Sequence, residues 1–269
     1  DYKDIQTITS RICGICSISH SLAAIKGIEA ALGVEVNEMI DKLRLLTHCS
    51  EQLQSHTLHV GYLVAPDLLG VKSVVPLVET HLDVVKTIIR CHRVANKMSD
   101  LLAGRTTHPV TLVPGGFQQI PTVQQLKALK KTLEDTVPDL QAVADVVLSV
   151  ADKLPDFTRE TEFVALKDPG VYSFYHGDIA TSDSKETVPV DQFEQVANEY
   201  MVPQSTAKWT KWHRESYAVG ALARFNVSSQ WLHPLAASVA EKFGLKAPCY
   251  NPFMCNVAQI VESVHVVED

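Results

Sequence analysis

The sequence predicts a mainly α-helical protein, a long-helix bundle core with a small β-containing excursion at about residues 160–205. Two observations favour this fold class. Apolar residues recur at steps of three and four over several long segments, which is the period of an amphipathic helix. The stretch 160–205 breaks that period, because it is rich in polar and β-prone residues and contains turn signals such as "DPG" at 168–170. The pattern therefore indicates helices on both sides of a short β segment.

Three helical segments come first along the chain. The first covers about residues 19–32 and ends at Gly33, a suitable C-cap. The second begins near Asn37 and carries one apolar stripe as far as "APDLLG" at 65–70. The third covers about 73–104 and again stops at a glycine. Long segments that share an amphipathic period predict a bundle.

The stretch 105–121 is predicted to be loop or short strand, since prolines and a Gly-Gly pair interrupt it. Thr122 starts a fourth helix, with Gln125 three residues later as a capping box. This helix runs to about residue 153, and an interruption is expected near Pro138. Two further helical patterns, "HPLAASVAEKFG" and "NPFMCNVAQIVESVHVVE", follow the β excursion. The predicted inner face of the fourth helix consists of Val123, Leu126, Leu129 and Leu133.

Composition argues against several classes of function. The 269 residues carry a formal charge of −7, so nucleic acid and anionic membrane, which select basic patches, are not expected as main partners. No apolar run approaches the roughly 20 residues that span a bilayer. The first residues lack the basic and apolar regions of a signal peptide. The chain starts without Met and stops inside a helical pattern, so a fragment is expected.

The cysteines favour a reducing, cytoplasmic compartment. Six cysteines are too few and too scattered to form the disulfide framework of a secreted domain of this size. Cys49 and Cys91 lie inside amphipathic helical patterns, where a free cysteine behaves as a small buried apolar residue. We therefore expect these two cysteines to be structural.

The stretch "TSRICGICSISHS", residues 9–21, holds the candidate chemistry. Cys13 and Cys16 are one helical turn apart just ahead of a helix, with Arg11 before them and His20 four residues after the second cysteine. Free N–H groups at a helix N-terminus and a nearby cation both lower the pKa of a thiol. A thiolate serves as nucleophile or as metal ligand. The pattern therefore fits a disulfide, a redox dithiol, half of a zinc site or half of a softer transition-metal site.

Spacing weighs these alternatives but does not choose the metal. A thioredoxin-type dithiol is expected in a βαβ unit, which the helical segments downstream do not provide. Structural zinc needs four ligands, commonly in two close pairs, and the other candidate pair, Cys249 and Cys255, is separated by five residues. Soft sulfur donors favour zinc, iron–sulfur, copper(I) or nickel. The second half of a four-thiolate site is not evident in the chain.

The motif resembles that of a known family. Residues 11–20, "RICGICSISH", fit the R-x-C-G-x-C-x-x-x-H signature near the start of the large, catalytic subunit of nickel–iron hydrogenases. The chain is similar to that family in further segments and in the expected order. The resemblance therefore implies the large-subunit fold, with one partial large-subunit domain over residues 1–269. The further segments are "SHTLHVGYLVAPDLL", "GRTTHPVTLVPGG", "ESYAVGALARFN", in which Ala221 stands where Pro is usual, and "AQIVESVHVVED".

The resemblance also implies a metal centre and a reaction. Cys13 would be a terminal nickel ligand, and Cys16 would bridge nickel and iron, with the iron carrying carbon monoxide and cyanide. H2 would be split heterolytically, with a nearby base accepting the proton, and electrons would leave through iron–sulfur clusters on a separate small subunit. His20 would hydrogen-bond near a bridging sulfur or the subunit interface. Asp67 would lie in the canopy over the metals, although a carboxylate after a proline at a helix end is also commonly solvated. Other motif positions, implied to hold the site or the partner surface, are Arg11, Arg105, His108 and Arg224.

Three parts of the family pattern do not occur in these residues. They are a second cysteine pair in D-P-C-x-x-C-x-x-H, a proton-accepting glutamate upstream of the first motif, and an arginine above the iron. We therefore expect this polypeptide alone to bind no complete nickel–iron centre and to be inactive. Two alternatives stay open: a non-catalytic structural paralogue, like the related quinone subunit of respiratory complex I, or a CxxC redox protein. The complex I subunit has lost the cysteines, whereas a redox protein predicts reversible oxidation of Cys13 with Cys16.

Overall fold

The computed structural model describes residues 1–269 and divides them into two compact units, Asp1–Val147 and Leu148–Asp269. The first unit is helical apart from one two-residue ladder, and the second combines helices with small sheets. The predicted mainly α fold class with a β excursion is therefore confirmed. None of the helices combines the length and the apolar character that crossing a bilayer requires.

The first unit follows the predicted helical segments closely. A π-helical segment, His59–Val64, continues the second long helix and was not expected from the sequence. Strands β1 (Leu112–Val113) and β2 (Gly116–Phe117) pair antiparallel within the predicted loop. The helices are α1 Ile5–Thr9, α2 Ser17–Leu32, α3 Glu38–Leu58, α4 Ala65–Leu68, α5 Leu77–Thr80, α6 Leu82–Ala103 and α7 Val123–Leu148, whose last residue already belongs to the second unit.

Helix α2 begins directly after the second cysteine of the motif. Its inner face buries Ile18, Leu22 and Ile25, and each side chain of this size contributes about 1.5–3 kcal/mol when it leaves water. The helix ends at Gly33, which adopts the left-handed conformation at φ +65°. The predicted C-cap is confirmed, and the helix starts two residues earlier than the sequence pattern indicated.

A buried ion pair joins α2 to α3. The Arg44 guanidinium donates to both carboxylate oxygens of Glu29, at 2.8 and 2.6 Å. The same Glu29 carboxylate accepts the backbone N–H of Gly115 at 2.6 Å. The glycine pair that interrupts the loop is therefore held against α2, and the three segments form one connected structure around the helix that follows the cysteines.

Helix α6 packs against α3 and against the π-helical segment that follows α3. A Cβ placed on Gly61 would lie 2.3 Å from the Ile88 side chain, so the two backbones approach as closely as they do only because this residue is glycine. Cys49 on α3 and Cys91 on α6 are both buried, as predicted for cysteines that pack as small apolar residues. Burial raises the pKa of the Cys91 thiol to about 12, so this thiol stays protonated.

Three details of the predicted helices were wrong. The third helix begins at Leu82 and not near 73, because His81 has non-helical dihedral angles and separates it from the short α5. Val123 is 68% exposed, since the first turn of α7 is not covered. Helix α7 passes through Pro138 without a break. Its capping box is confirmed: the Thr122 N–H donates to Gln125 at 2.8 Å, and the Gln125 N–H donates to the Thr122 hydroxyl at 3.2 Å.

The β excursion of the second unit extends beyond the predicted limit of residue 205. Its four-stranded sheet has the order β5-β4-β3-β8, and β3 pairs parallel with β8, which follows some 50 residues later. A separate hairpin is formed by β6 and β7. The strands are β3 Glu162–Lys167, β4 Asp178–Thr181, β5 Thr187–Val188, β6 Asn198–Tyr200, β7 Trp209–Lys211 and β8 Tyr217–Ala218.

Helices α8 (Ala221–Ser228), α9 (Pro234–Lys242) and α10 (Cys255–Glu268) complete the second unit. Helix α10 is buried along most of its length and carries Glu262 into the core. The Arg224 guanidinium donates to both oxygens of this carboxylate at 2.7 Å. A charge so deep in the protein is tolerated only because it is paired and hydrogen-bonded.

Candidate metal centre at Cys13 and Cys16

Cys13 and Cys16 lie side by side at the start of α2. Cys13 is extended after a 3-10 turn over Ser10–Ile12, and Cys16 occupies the N-cap of the helix. The Cys16 N–H donates to the Cys13 sulfur at 3.2 Å, and the two side chains are also hydrogen-bonded to each other. Both residues are half-buried. The fold therefore brings two sulfur donors together at one partly accessible point.

The two thiols differ in proton affinity. The side chain and the N–H of Cys16 both donate to the Cys13 sulfur, and these bonds lower the pKa of Cys13. Burial, followed by the neighbouring sulfur, raises the pKa of Cys16 to about 12. The sequence predicted a lowered pKa for both thiols. That prediction is wrong for Cys16, because burial and a second sulfur outweigh the helix N-terminus. Cys13 is therefore the more acidic of the two thiols, and Cys16 holds its proton more tightly.

Glu51 on α3 holds the first turn of α2. It is only 2% exposed, and its carboxylate accepts the Ile18 N–H at 2.6 Å and the Ser19 N–H at 3.1 Å. The Ser19 hydroxyl also donates to it. The carboxylate is thus the acceptor for N–H groups that a helix start leaves unpaired. Burial raises the pKa of Glu51, and its negative charge opposes the lowering of the Cys13 pKa and adds to the raising of the Cys16 pKa.

Sequence reasoning missed Glu51. It lies in the middle of a long amphipathic helix and outside the apolar stripe, where a glutamate is normally solvated. Helix α3 is instead buried around most of its circumference between residues 47 and 57. The hydrogen-bond donors to the Glu51 carboxylate at the start of α2, Ile18 and Ser19, are 33 and 32 residues away in the chain, and no local pattern signals that pairing.

His108 contacts the motif from the loop after α6. Its N–H donates to the Ser17 hydroxyl at 2.9 Å, and its Nδ1 lies 2.8 Å from the Ser10 carbonyl oxygen. Because a carbonyl only accepts, Nδ1 must carry the proton. Ser10 precedes the cysteines and Ser17 follows them, so one histidine bonds to both ends of the cysteine loop.

The other predicted site residues are placed unequally. His20 lies one turn after Cys16 on α2, half-buried, with its N–H donating to the Cys16 carbonyl oxygen at 3.2 Å and its imidazole making no hydrogen bond in the chain. Asp67 is exposed on α4, and no hydrogen bond or ion pair joins its carboxylate to the cysteines. Arg11 and Arg105 are exposed. Arg224 lies in the second unit, where it is paired with Glu262.

The donor chemistry fits half of a nickel–iron centre. Two sulfur donors are adjacent, the pKa of one of them, Cys13, is lowered by hydrogen bonds from Cys16, and soft metals prefer sulfur ligands. No group of three or more His, Cys, Asp and Glu side chains in the chain is arranged to hold a metal ion. The motif also follows a 3-10 turn and not a β-strand, so it lacks the strand–CxxC–helix order that a thioredoxin-type dithiol needs.

Comparison with known proteins points the same way. A family model described as nickel-dependent hydrogenase matches residues 1–88. The chain is 27% identical to a subunit of the vhu F420-non-reducing hydrogenase of Methanocaldococcus jannaschii, over 99% of this chain and 69% of that protein. It is 30% identical to the alpha subunit of sulfhydrogenase 1 from Pyrococcus furiosus, over 99% of this chain and 62% of that protein. The chain therefore spans roughly two thirds of the relatives it matches.

The fold is also that of solved hydrogenase structures. The crystal structure of an NAD+-reducing NiFe-hydrogenase in the H2-reduced state superposes with a TM-score of 0.89 at 23% identity, covering 99% of this chain and 65% of that one. A NiFeSe hydrogenase variant from Desulfovibrio vulgaris Hildenborough superposes with a TM-score of 0.76 at 20% identity, covering all of this chain and 67% of that one. At these identities the likeness concerns the fold alone.

Proposed function

We propose that this chain, whose residues 1–88 match the nickel-dependent hydrogenase family model, is part of the catalytic subunit of a nickel–iron hydrogenase. Its parent enzyme would oxidise H2 reversibly to protons and electrons. The observation that supports this most directly is the sulfur pair of Cys13 and Cys16, hydrogen-bonded at the start of α2 and carrying unequal proton affinities.

The two cysteines take different roles in this proposal. Cys13 would hold the nickel, and the lowered pKa of its thiol favours the thiolate form that binds a metal. Cys16 would be the sulfur ligand shared by the two metals, and its proton would have to leave when metal binds, since its pKa is raised to about 12. When bound, the centre, with carbon monoxide and cyanide on its iron, supplies the Lewis acidity and redox chemistry for heterolytic H2 cleavage.

His20 and Asp67 are assigned supporting roles. The His20 imidazole makes no hydrogen bond in the chain and lies one turn after Cys16, so it is available to donate to a sulfur ligand or to a partner surface. The Asp67 carboxylate, exposed on α4, would belong to the canopy over the metals and would influence proton movement there. Neither residue is proposed as a direct metal ligand.

The electrons need a partner. The related proteins are themselves named as subunits of hydrogenases, which supports a multi-subunit enzyme. We propose a small subunit with iron–sulfur clusters as the electron acceptor of this chain. All six cysteines are free, which supports a reducing compartment, and we propose the cytoplasm.

The test is made on the parent enzyme, purified anaerobically with its partner subunit. Nickel per protein and H2-dependent dye reduction are measured for the wild type, Cys13→Ser, Cys16→Ser and the control Cys249→Ser. Cys249 is a half-buried cysteine of the second unit. Both motif variants should lose nickel and activity together, and the control should keep both. Full nickel occupancy in Cys13→Ser would contradict the proposed ligand role.

The same samples test the competing redox-dithiol function. A dithiol enzyme would oxidise Cys13 and Cys16 reversibly to a disulfide and would work without metal. Metal-free protein is therefore assayed for disulfide reduction, with the two thiols followed by mass spectrometry. Turnover by nickel-free protein that stops in either serine variant would favour the dithiol function over the hydrogenase.

A further inference from the structure

His108 is the only residue other than glycine in the chain whose backbone φ is positive, at +58°. A residue with a Cβ pays roughly 1–2 kcal/mol to adopt this left-handed conformation. Such strain persists where the surroundings determine the conformation, and it is commonly found at functional sites. The position of His108 is therefore set by the rest of the structure and not by local preference.

The loop that carries His108 is fixed at both ends. Gly104 ends α6 at φ +77°, and a Cβ there would lie 2.8 Å from Val110 and 2.9 Å from Thr111. The Val110 N–H returns to the Ala103 carbonyl oxygen at 2.9 Å, and the Thr111 hydroxyl donates to α6 as well. These bonds close a tight loop over residues 104–111, which carries the histidine towards the start of α2.

Both hydrogen-bond partners of His108, Ser10 and Ser17, are themselves buried and hydrogen-bonded. Ser10 and Ser17 are each 1% exposed. The Ser10 hydroxyl donates to the Thr7 carbonyl oxygen at 2.8 Å, and the Ser17 carbonyl accepts from the Ser21 hydroxyl at 2.9 Å. The histidine thus links two ordered anchors, and the residues between those anchors, 11–16, are the loop that contains both sulfurs.

We propose that His108 is a positioning residue that sets the spacing of the Cys13 and Cys16 sulfurs before any metal binds. A loop tied at both ends samples fewer conformations, so a bidentate ligand meets two sulfurs already in place. The His108 imidazole contributes the bond to Ser10, and its backbone contributes the bond to Ser17. We call the two bonds from His108 to Ser10 and Ser17 the clamp. The clamp is a property of the metal-free chain, while its value for catalysis rests on the proposed function.

Phenylarsine oxide tests the spacing without nickel. Its arsenic exchanges one oxygen for two sulfurs, two S–H protons leave with that oxygen as water, and no oxidant is needed. The arsenical is titrated into the full chain, prepared without nickel, of the wild type, His108→Gly and His108→Asn. Glycine accepts the positive φ but loses the imidazole donor, whereas asparagine tolerates this φ and keeps a side-chain N–H. His176→Asn, at a half-buried histidine of the second unit, is the control.

We expect His108→Gly to bind the arsenical about 3- to 10-fold more weakly, which corresponds to one lost hydrogen bond. His108→Asn should recover most of this affinity, and the control should equal the wild type. Thermal melts identify any variant that has unfolded. Wild-type affinity in folded His108→Gly would overturn the positioning role, as would a loss that asparagine does not recover.

Nickel content and H2-dependent activity of the parent enzyme separate this inference from the proposed function. If arsenical affinity falls as expected but the nickel-loaded wild type has no H2 activity, the clamp stands and the hydrogenase function is wrong. If the wild type is active and His108→Gly binds both arsenical and nickel like the wild type, the function stands and the clamp is wrong.

Discussion

The Glu51 carboxylate accepts the Ile18 N–H at 2.6 Å across 33 positions of sequence, and this bond fixes the start of the helix that follows the cysteine pair. The contact satisfies two separate requirements of the site. One is a buried charge on α3, and the other is a helix start that leaves N–H groups unpaired. Each satisfies the other, so removing the carboxylate should affect both stability and the cysteine loop.

Glu51→Ala should lower the free energy of unfolding by about 1–3 kcal/mol, because buried N–H groups of Ile18 and Ser19 lose their acceptor. Glu51→Gln keeps one acceptor oxygen and should lose less. Urea unfolding followed by circular dichroism measures both. The exposed Glu38→Ala serves as control and should change stability by less than about 0.5 kcal/mol. Equal stability of Glu51→Ala and Glu38→Ala would show that the cap is not needed.

Gly104→Ala should destabilise more than Gly33→Ala. Both glycines end helices with positive φ, so each substitution costs about 1 kcal/mol of backbone strain. At Gly33 an added Cβ meets nothing within 4 Å, whereas at Gly104 it meets Val110 and Thr111 at under 3 Å. The clash should add about 1–3 kcal/mol. Thermal denaturation of the two variants compares them directly, and an equal loss would mean that the loop adjusts freely.

Arg224→Met should lower the free energy of unfolding by about 3–5 kcal/mol, because it leaves the Glu262 carboxylate charged in the core. Tyr172→Phe removes a single 2.7 Å bond to the same carboxylate and should cost about 1 kcal/mol. Arg214→Met is the matched control, since Arg214 pairs with Asp183 at the surface, where such pairs contribute about 0–1 kcal/mol. If denaturant titrations show that Arg214→Met loses as much free energy of unfolding as Arg224→Met or more, the buried-pair argument is contradicted.

The second unit should lose stability in acid through His265. Burial, and then the neighbouring His233, lowers the pKa of this imidazole to about 4. An unfolded histidine titrates near 6.5, so between these values the unfolded state binds the proton first. The stabilisation that the folded state gains from the uncharged His265 is complete above about pH 6.5 and is lost as the pH falls to about 4. Between these pH values the free energy of unfolding changes by at most about 1.4 kcal/mol per pH unit through this one group.

His265→Asn tests that assignment. Asparagine keeps an acceptor for the His233 N–H, which donates to His265 Nδ1 at 3.1 Å, and does not titrate. Stability measured by urea at pH 7 and pH 5 should fall less in this variant than in the wild type. The exposed His81→Asn should follow the wild type at both pH values. Identical pH dependence in His265→Asn and the wild type would assign the acid sensitivity elsewhere.

The sequence alone determined the features that depend on neighbours in the chain. The apolar period predicted the long helices, and Gly33 predicted where the first of them ends. Thr122 and Gln125 predicted a capping box. Each of these features needs only contacts within one or two helical turns. The cysteine motif and its family resemblance were likewise readable, since they consist of residue types at fixed spacing. The ligand and canopy roles of Cys13, Cys16, His20 and Asp67 stay predictions.

Only the tertiary structure decided what surrounds that motif. Glu51 is 33 residues from Ile18, His108 is 98 residues from Ser10, and β8 pairs with β3 across some 50 residues. Such pairings leave no periodicity in the sequence, because they depend on how separate helices and strands pack. The same packing gave Cys16 a raised pKa where its place at a helix start predicted a lowered one, since burial acts on the charge of a group and not on its position in a motif.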